Sequence, residues 1–115
     1  MSTQVVLLGS TGSIGTQALE VIDQHHENFE VVALSAGGRS LELLAEQCVR
    51  YRPRVVGIHD GDAHRLERLI AAAAGEIPEI LVGSDASTQI AGSFPHAVVL
   101  NGITGGVGLG PTLAA

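Results

Sequence analysis

The sequence has little cysteine, few aromatic rings, few basic residues and no long apolar run, and each shortage removes a class of function. A single cysteine, Cys48, excludes an internal disulfide and agrees with a reducing compartment. Its place on the apolar face of an expected helix makes it a core thiol rather than a nucleophile. Only 3% of the residues are aromatic, and Phe29, Tyr51 and Phe94 are scattered, so no platform exists for stacking bases. Six basic residues stand against 12 acidic ones, a net charge of -6, which argues against a nucleic-acid or anionic-membrane partner. Any anionic ligand must therefore be captured by local geometry. No apolar stretch approaches the ~20 residues of a bilayer span, and no basic flank with an apolar signal core opens the chain. The expectation is a soluble, cytoplasmic protein.

What is present is a globular balance of 45% hydrophobic and 16% charged residues over 115 positions, enough for one compact domain, 1–115. Short β-rich apolar runs alternate with segments of helical period. That pattern predicts βαβ crossovers and a parallel sheet covered on both faces, a Rossmann-like, doubly wound α/β fold. Strands are expected at 5–8, 31–34, 55–58, 80–82 and 97–100. The first helix should present Ile14, Ala18, Leu19, Val21 and Ile22 on one face. The second should run over 41–51 with Leu41, Leu44, Ala45, Cys48 and Val49 inward, stopped by Pro53. A third is expected over 63–74, closed by Gly75 as a left-handed cap, and a short fourth begins at Ser84 or Asp85 and ends near Gly92.

The segment Gly9-Ser10-Thr11-Gly12-Ser13-Ile14-Gly15 joins an all-apolar strand directly to an amphipathic helix, the context that gives a glycine spacing meaning. A pyrophosphate site needs a sharp turn, a backbone without Cβ atoms in the way, and helix-start N–H groups aimed at the anion. Gly9, Gly12 and Gly15 suit those tasks, while Thr11 and Ser13 add hydroxyl donors. The helix N-terminus contributes roughly half a positive charge.

The spacing is G-x-x-G-x-x-G, a variant associated with NADP-linked reductases. An NAD site would place a carboxylate about 20 residues beyond the loop to hold the ribose 2'-hydroxyl. That place holds Ser35-Ala36-Gly37-Gly38-Arg39-Ser40 instead. No acid repels a 2'-phosphate there, and Arg39 offers a guanidinium fork with the Ser40 hydroxyl beside it. The expected cofactor is NADPH rather than NADH.

Three segments together, the loop continuing through Thr16-Gln17, the run Val31 to Gly37, and Asn101-Gly102-Ile103-Thr104-Gly105-Gly106-Val107-Gly108-Leu109-Gly110-Pro111-Thr112-Leu113-Ala114-Ala115, resemble the 1-deoxy-D-xylulose 5-phosphate reductoisomerases. The likeness runs from end to end of the chain. It implies NADPH-dependent rearrangement and reduction of deoxyxylulose phosphate to methylerythritol phosphate, in the non-mevalonate route to isoprenoids, with Mg2+ or Mn2+. It also implies pyrophosphate contacts at Thr11, Gly12, Ser13 and Ile14, and contacts near the adenosine ribose at Gly37, Gly38 and Arg39. Many members carry a Lys-Asn or similar pair where this chain has Gly38-Arg39. The family's Lys-Glu-Ser motif and acidic metal ligands follow the point where this sequence stops, so no catalytic or metal-binding residue is assigned here. The fragment is expected to bind cofactor without catalysing, to belong beside a catalytic domain of the same protein, and to sit in a homodimer at full length.

Other candidates are weaker. His59, Asp60, Asp62 and His64 crowd one loop, but acids before a helix are ordinary turn chemistry. No Ser-His-Asp or Cys-His spacing supports hydrolysis. The glycine-rich run 101–110 lies where a doubly wound fold binds its ligand, and it would serve equally as a lining for the nicotinamide or as a connection to a further domain. Two alternatives stay open: the NADP-binding domain of a semialdehyde dehydrogenase-like reductase, which needs a downstream cysteine, and a non-enzymatic NADP sensor.

Overall fold

Strand-forming aliphatic runs separated by crossovers long enough for a helix have the connections that parallel pairing requires, and they pair in parallel here. The computed structural model describes residues 3–101, in the order β1 (Thr3–Leu8), α1 (Ser13–Gln24), β2 (Phe29–Ala36), α2 (Leu41–Tyr51), β3 (Val55–Ile58), α3 (Ala63–Ala72), β4 (Glu79–Val82), α4 (Ala86–Ser93) and β5 (Val98–Asn101). All five strands form one parallel sheet in the order β4-β3-β2-β1-β5. The expected Rossmann-like α/β fold is the one observed. The rest of the glycine-rich run and the helix expected from Pro111 lie outside the described residues.

The sequence explains β1's place at the centre. Val5, Val6, Leu7 and Leu8 are all at most 1% exposed, as a strand buried on both faces requires. Val5 and Leu7 join the larger core against α1, α2 and α3, while Val6 and Leu8 join a smaller core under Ile90 of α4. The chain advances outward from β1 to β4 with its crossovers on one face, then returns past β1 to β5 through α4 on the other. A register shift beside Val5 and Val6 lets Val32 and Ala33 both contribute to the smaller core.

Four details depart from the sequence expectations. In α1 the inward stripe is Gly15, Ala18, Leu19 and Ile22, whereas Ile14 and Val21 are 51% and 55% exposed. Those two residues are seven apart and share a face of their own, turned away from the sheet. α3 ends earlier, at Ala72, and the left-handed residue is Ala74 (φ 59), not Gly75. The Gly75 N–H bonds Ile70 O and the Ala74 N–H bonds Ala71 O, the paired bonds of a Schellman closure. Gly75 is required for space, because a Cβ there would lie 2.7 Å from Val49 Cγ2. Finally, Asp85 occupies the N-cap of α4 without a side-chain cap bond, and α2 turns a glutamine, Gln47, into its buried face.

Candidate functional site

The C-terminal ends of β1, β2 and β3 lie along one edge of the sheet, so the loops that follow them meet. Their meeting forms a cleft of about 660 Å³ lined by Thr11, Gly12, Gly37, Gly38, Arg39, Ser40, His59, Asp60 and Gly61. This volume falls within the usual range for small-molecule sites. Six of the ten residues singled out from sequence face this cleft. The other four, Gly9, Ser13, Ile14 and Gly15, build the loop and helix start behind it.

The loop is held by its backbone. Ser35 O, at the end of β2, accepts from both the Gly9 and Ser10 N–H groups at 2.8 Å. Gly9 has φ 75, a conformation that glycine adopts without strain. Its carbonyl accepts from Gly12 N at 3.2 Å, and Gly12 O accepts from Thr16 N at 2.9 Å. Ser10 O accepts from the buried Gln47 Nε2 at 2.8 Å. The carbonyls of Gly9, Ser10 and Gly12 are thus engaged by protein donors.

Among the described residues, nothing covers the helix start. Gly12 caps α1 in an extended conformation with no side-chain cap bond, and no acid sits in the first turn. Orphan N–H groups at such an end favour an anion by charge and by hydrogen bonding. Gly15 fixes how closely α1 can approach the loop. A Cβ there would collide with Gly9 O and lie 2.8 Å from Ser10 Cα, both backbone atoms that cannot swing aside.

The second wall is the β2–α2 loop. Gly38 adopts φ 102, and a Cβ on it would run into Asp60 O and sit 2.8 Å from Ile58 Cγ2. The two loops therefore touch backbone to backbone, which also explains why His59, Asp60 and Gly61 enter the cleft. Asp60 N donates to Gly37 O at 3.2 Å and His59 N to Ala36 O at 2.9 Å. Arg39 is exposed on this wall, and its guanidinium pairs with no protein group among the described residues. By contrast, Arg50, Arg54 and Arg65 are taken up by Asp23, Glu30 and Glu42.

In the sequence, His59 and Asp60 look only like members of an acidic turn. A sequence signal existed, since residues ending β3 must share an edge with those ending β2 in a parallel sheet. Asp62 of the same turn accepts from His64 N and Arg65 N and caps α3. Among the described residues no group of three His, Cys, Asp or Glu could hold a metal ion. Cys48 is fully buried, and burial pushes its thiol up to about 12. No helix of the described residues is long and apolar enough to cross a membrane.

Fold and cleft together define a Rossmann-like domain in which a glycine loop leads from β1 into a helix start that has no side-chain cap bond and no acid in its first turn. The profile of the 1-deoxy-D-xylulose 5-phosphate reductoisomerases matches residues 5–115, and the chain belongs to that family. It is 58% identical, over 97% of its length, to the reductoisomerase of Paenarthrobacter aurescens (strain TC1), of which it covers 30%. To that of Streptomyces coelicolor it is 50% identical over 96% of its length, covering 27% of the relative. Among solved structures, the Zymomonas mobilis reductoisomerase in complex with NADPH superimposes with a TM-score of 0.82 at 30% identity, over 99% of this chain and 29% of that one. The chain thus spans about 30% of the length of the relatives it matches. Neither a semialdehyde dehydrogenase-like reductase nor an NADP sensor is favoured by these matches.

Proposed function

We propose that this chain, as a single domain over 1–115, is the NADPH-binding part of a 1-deoxy-D-xylulose 5-phosphate reductoisomerase, the enzyme that rearranges and reduces deoxyxylulose phosphate to methylerythritol phosphate. The observation that carries the reading is the loop whose carbonyls are held by Gly12, Gln47 and Thr16 while the first-turn N–H groups of α1 have no partner among the described residues. A relative solved with NADPH and a second solved with NADPH, fosmidomycin and magnesium support it.

The residues present fit the cofactor. Gly9, Thr11, Gly12, Ser13, Ile14 and Gly15 form the pyrophosphate cradle, into which a Cβ at Gly15 would force the loop. Ile14, half exposed at the helix start, offers an apolar surface next to the cradle. Gly37, Gly38, Arg39 and Ser40 face the adenosine ribose, where the unpaired Arg39 takes the 2'-phosphate. When bound, NADPH supplies a hydride. Loop and helix bind and orient it, the backbone N–H groups at the helix start meeting its phosphates in hydrogen bonds to a charged acceptor, which are stronger than bonds to a neutral one.

The Mg2+ or Mn2+ of the reaction is held by the catalytic domain of the same protein, which at full length is a homodimer. A cytoplasmic location follows from the same reading. The test is a titration of the chain with NADPH and NADH, followed by nicotinamide fluorescence. NADPH should bind more tightly, and Arg39→Ala should cost it roughly tenfold or more while leaving NADH nearly unchanged. Equal affinity for both nucleotides, or no binding by folded protein, overturns the proposal.

A further inference from the structure

Gln47 is a polar residue where α2 otherwise turns Leu41, Leu44, Ala45 and Cys48 into the core. It is 5% exposed, and its amide is only half used. Nε2 donates to Ser10 O at 2.8 Å, across 37 residues of sequence, while Oε1 accepts nothing among the described residues. A buried amide with an orphaned oxygen is a poor choice for stability, since an apolar side chain of similar size leaves no such orphan. Packing alone does not account for a glutamine here.

The stereochemistry of the loop does. The Ser10 carbonyl and the Thr11 N–H belong to one peptide unit, and no peptide bond among the described residues is cis. In a trans peptide the two groups point in opposite directions. A donor that draws the Ser10 oxygen into the core therefore aims the Thr11 N–H outward, and Thr11 lines the cleft. The preceding peptide is fixed independently, by Ser35 O on the Ser10 N–H and by the Gly12 N–H on Gly9 O. Among the described residues the Ser10–Thr11 unit has no backbone bond that sets its carbonyl. Without Gln47 this unit is free to rotate, turning a carbonyl dipole toward the place where an anion should sit.

We propose that Gln47 is a positioning residue of the phosphate loop, holding the Ser10 carbonyl inward so that the Thr11 N–H meets the 5'-phosphate side of the dinucleotide. This rests on the reading of the cleft as an NADPH site and adds a residue that touches no ligand. Gln47 acts through the Ser10–Thr11 peptide only, so its effect is confined to ligands with a phosphate at the loop.

The test compares NADPH and adenosine 2',5'-bisphosphate, which carry a 5'-phosphate, with adenosine 2'-phosphate, which does not. In Gln47→Leu, affinity for the first two falls roughly ten- to a hundredfold, the worth of one hydrogen bond to a charged group. Affinity for adenosine 2'-phosphate stays within about twofold, a split that general destabilisation does not produce. Equal loss for all three, or no loss in a variant with a native urea transition, overturns the proposal. A second measurement needs no variant. In 15N-labelled wild-type chain the Thr11 amide resonance shifts downfield with adenosine 2',5'-bisphosphate and not with adenosine 2'-phosphate. If the bisphosphate binds and the Thr11 amide does not respond, the role of Gln47 falls while the NADPH reading stands. If wild-type chain binds none of the three, both fall.

Discussion

Replacing Gly15 by alanine adds one methyl group at the point where α1 meets the glycine loop. Its Cβ would lie 2.8 Å from Ser10 Cα and 2.9 Å from Ser10 C, with Gly9 O closer still. Relief requires the helix and loop to separate by roughly half an ångström or more, since carbon atoms settle near 3.5 Å. Both partners are tied down. Gly9 and Ser10 hang from Ser35 O, and Leu19 and Ile22 fasten α1 into the larger core. Overpacking of this kind costs about 1–3 kcal/mol, against which alanine's helix preference returns up to about 1. For a net loss of about 1–2 kcal/mol and a urea dependence of about 2 kcal/mol per molar for a small domain, the unfolding midpoint should fall by roughly 0.5–1 M. The same separation carries the first-turn N–H groups away from the loop, so NADPH affinity should fall at least about tenfold. Gly92→Ala is the control, because nothing lies within 4 Å of a Cβ there and it sits in α4. That change should raise stability by up to about 1 kcal/mol and leave binding alone. A Gly15→Ala chain with native midpoint and native affinity would refute the account of the loop. A lowered midpoint with native affinity would restrict Gly15 to packing.

Two further outcomes follow from the same geometry. Asp62→Ala removes the side chain that accepts from both His64 N and Arg65 N, so thermal or urea unfolding should show a loss of about 1 kcal/mol with nucleotide affinity unchanged. Cys48, with its thiol raised to about 12 by burial, should resist a thiol-specific reagent at pH 8 in native chain and react promptly in urea. Because its folded value lies above the unfolded one, the contribution is complete below about pH 9 and is lost as pH climbs toward 12, by up to about 4 kcal/mol. A urea midpoint that holds level through that alkaline range would contradict the burial of the thiol.

The sequence by itself determined the elements and the loop. Alternating apolar runs and helical stripes set α2 and β3 at their observed bounds, and the strand-loop-helix context singled out Gly9, Gly12 and Gly15, because local spacing records what local geometry needs. The three-segment likeness led to the family for the same reason, as each segment is short and contiguous. What only the tertiary structure decided is which loops meet. His59 and Asp60 reach the cleft because Gly38 lets the β2–α2 loop touch Asp60 O, a contact across strands that no spacing records. Which of two apolar faces of α1 turns inward was decided by the sheet, which took Leu19 and Ile22 and left Ile14 and Val21 in solvent. Gln47 could not be found from sequence, because a polar residue beside an apolar stripe looks solvated until the loop it holds, 37 residues away, is packed beneath it. Secondary structure answers to neighbours in the chain, whereas a hydrogen bond across the fold answers to neighbours that exist only after the sheet has formed.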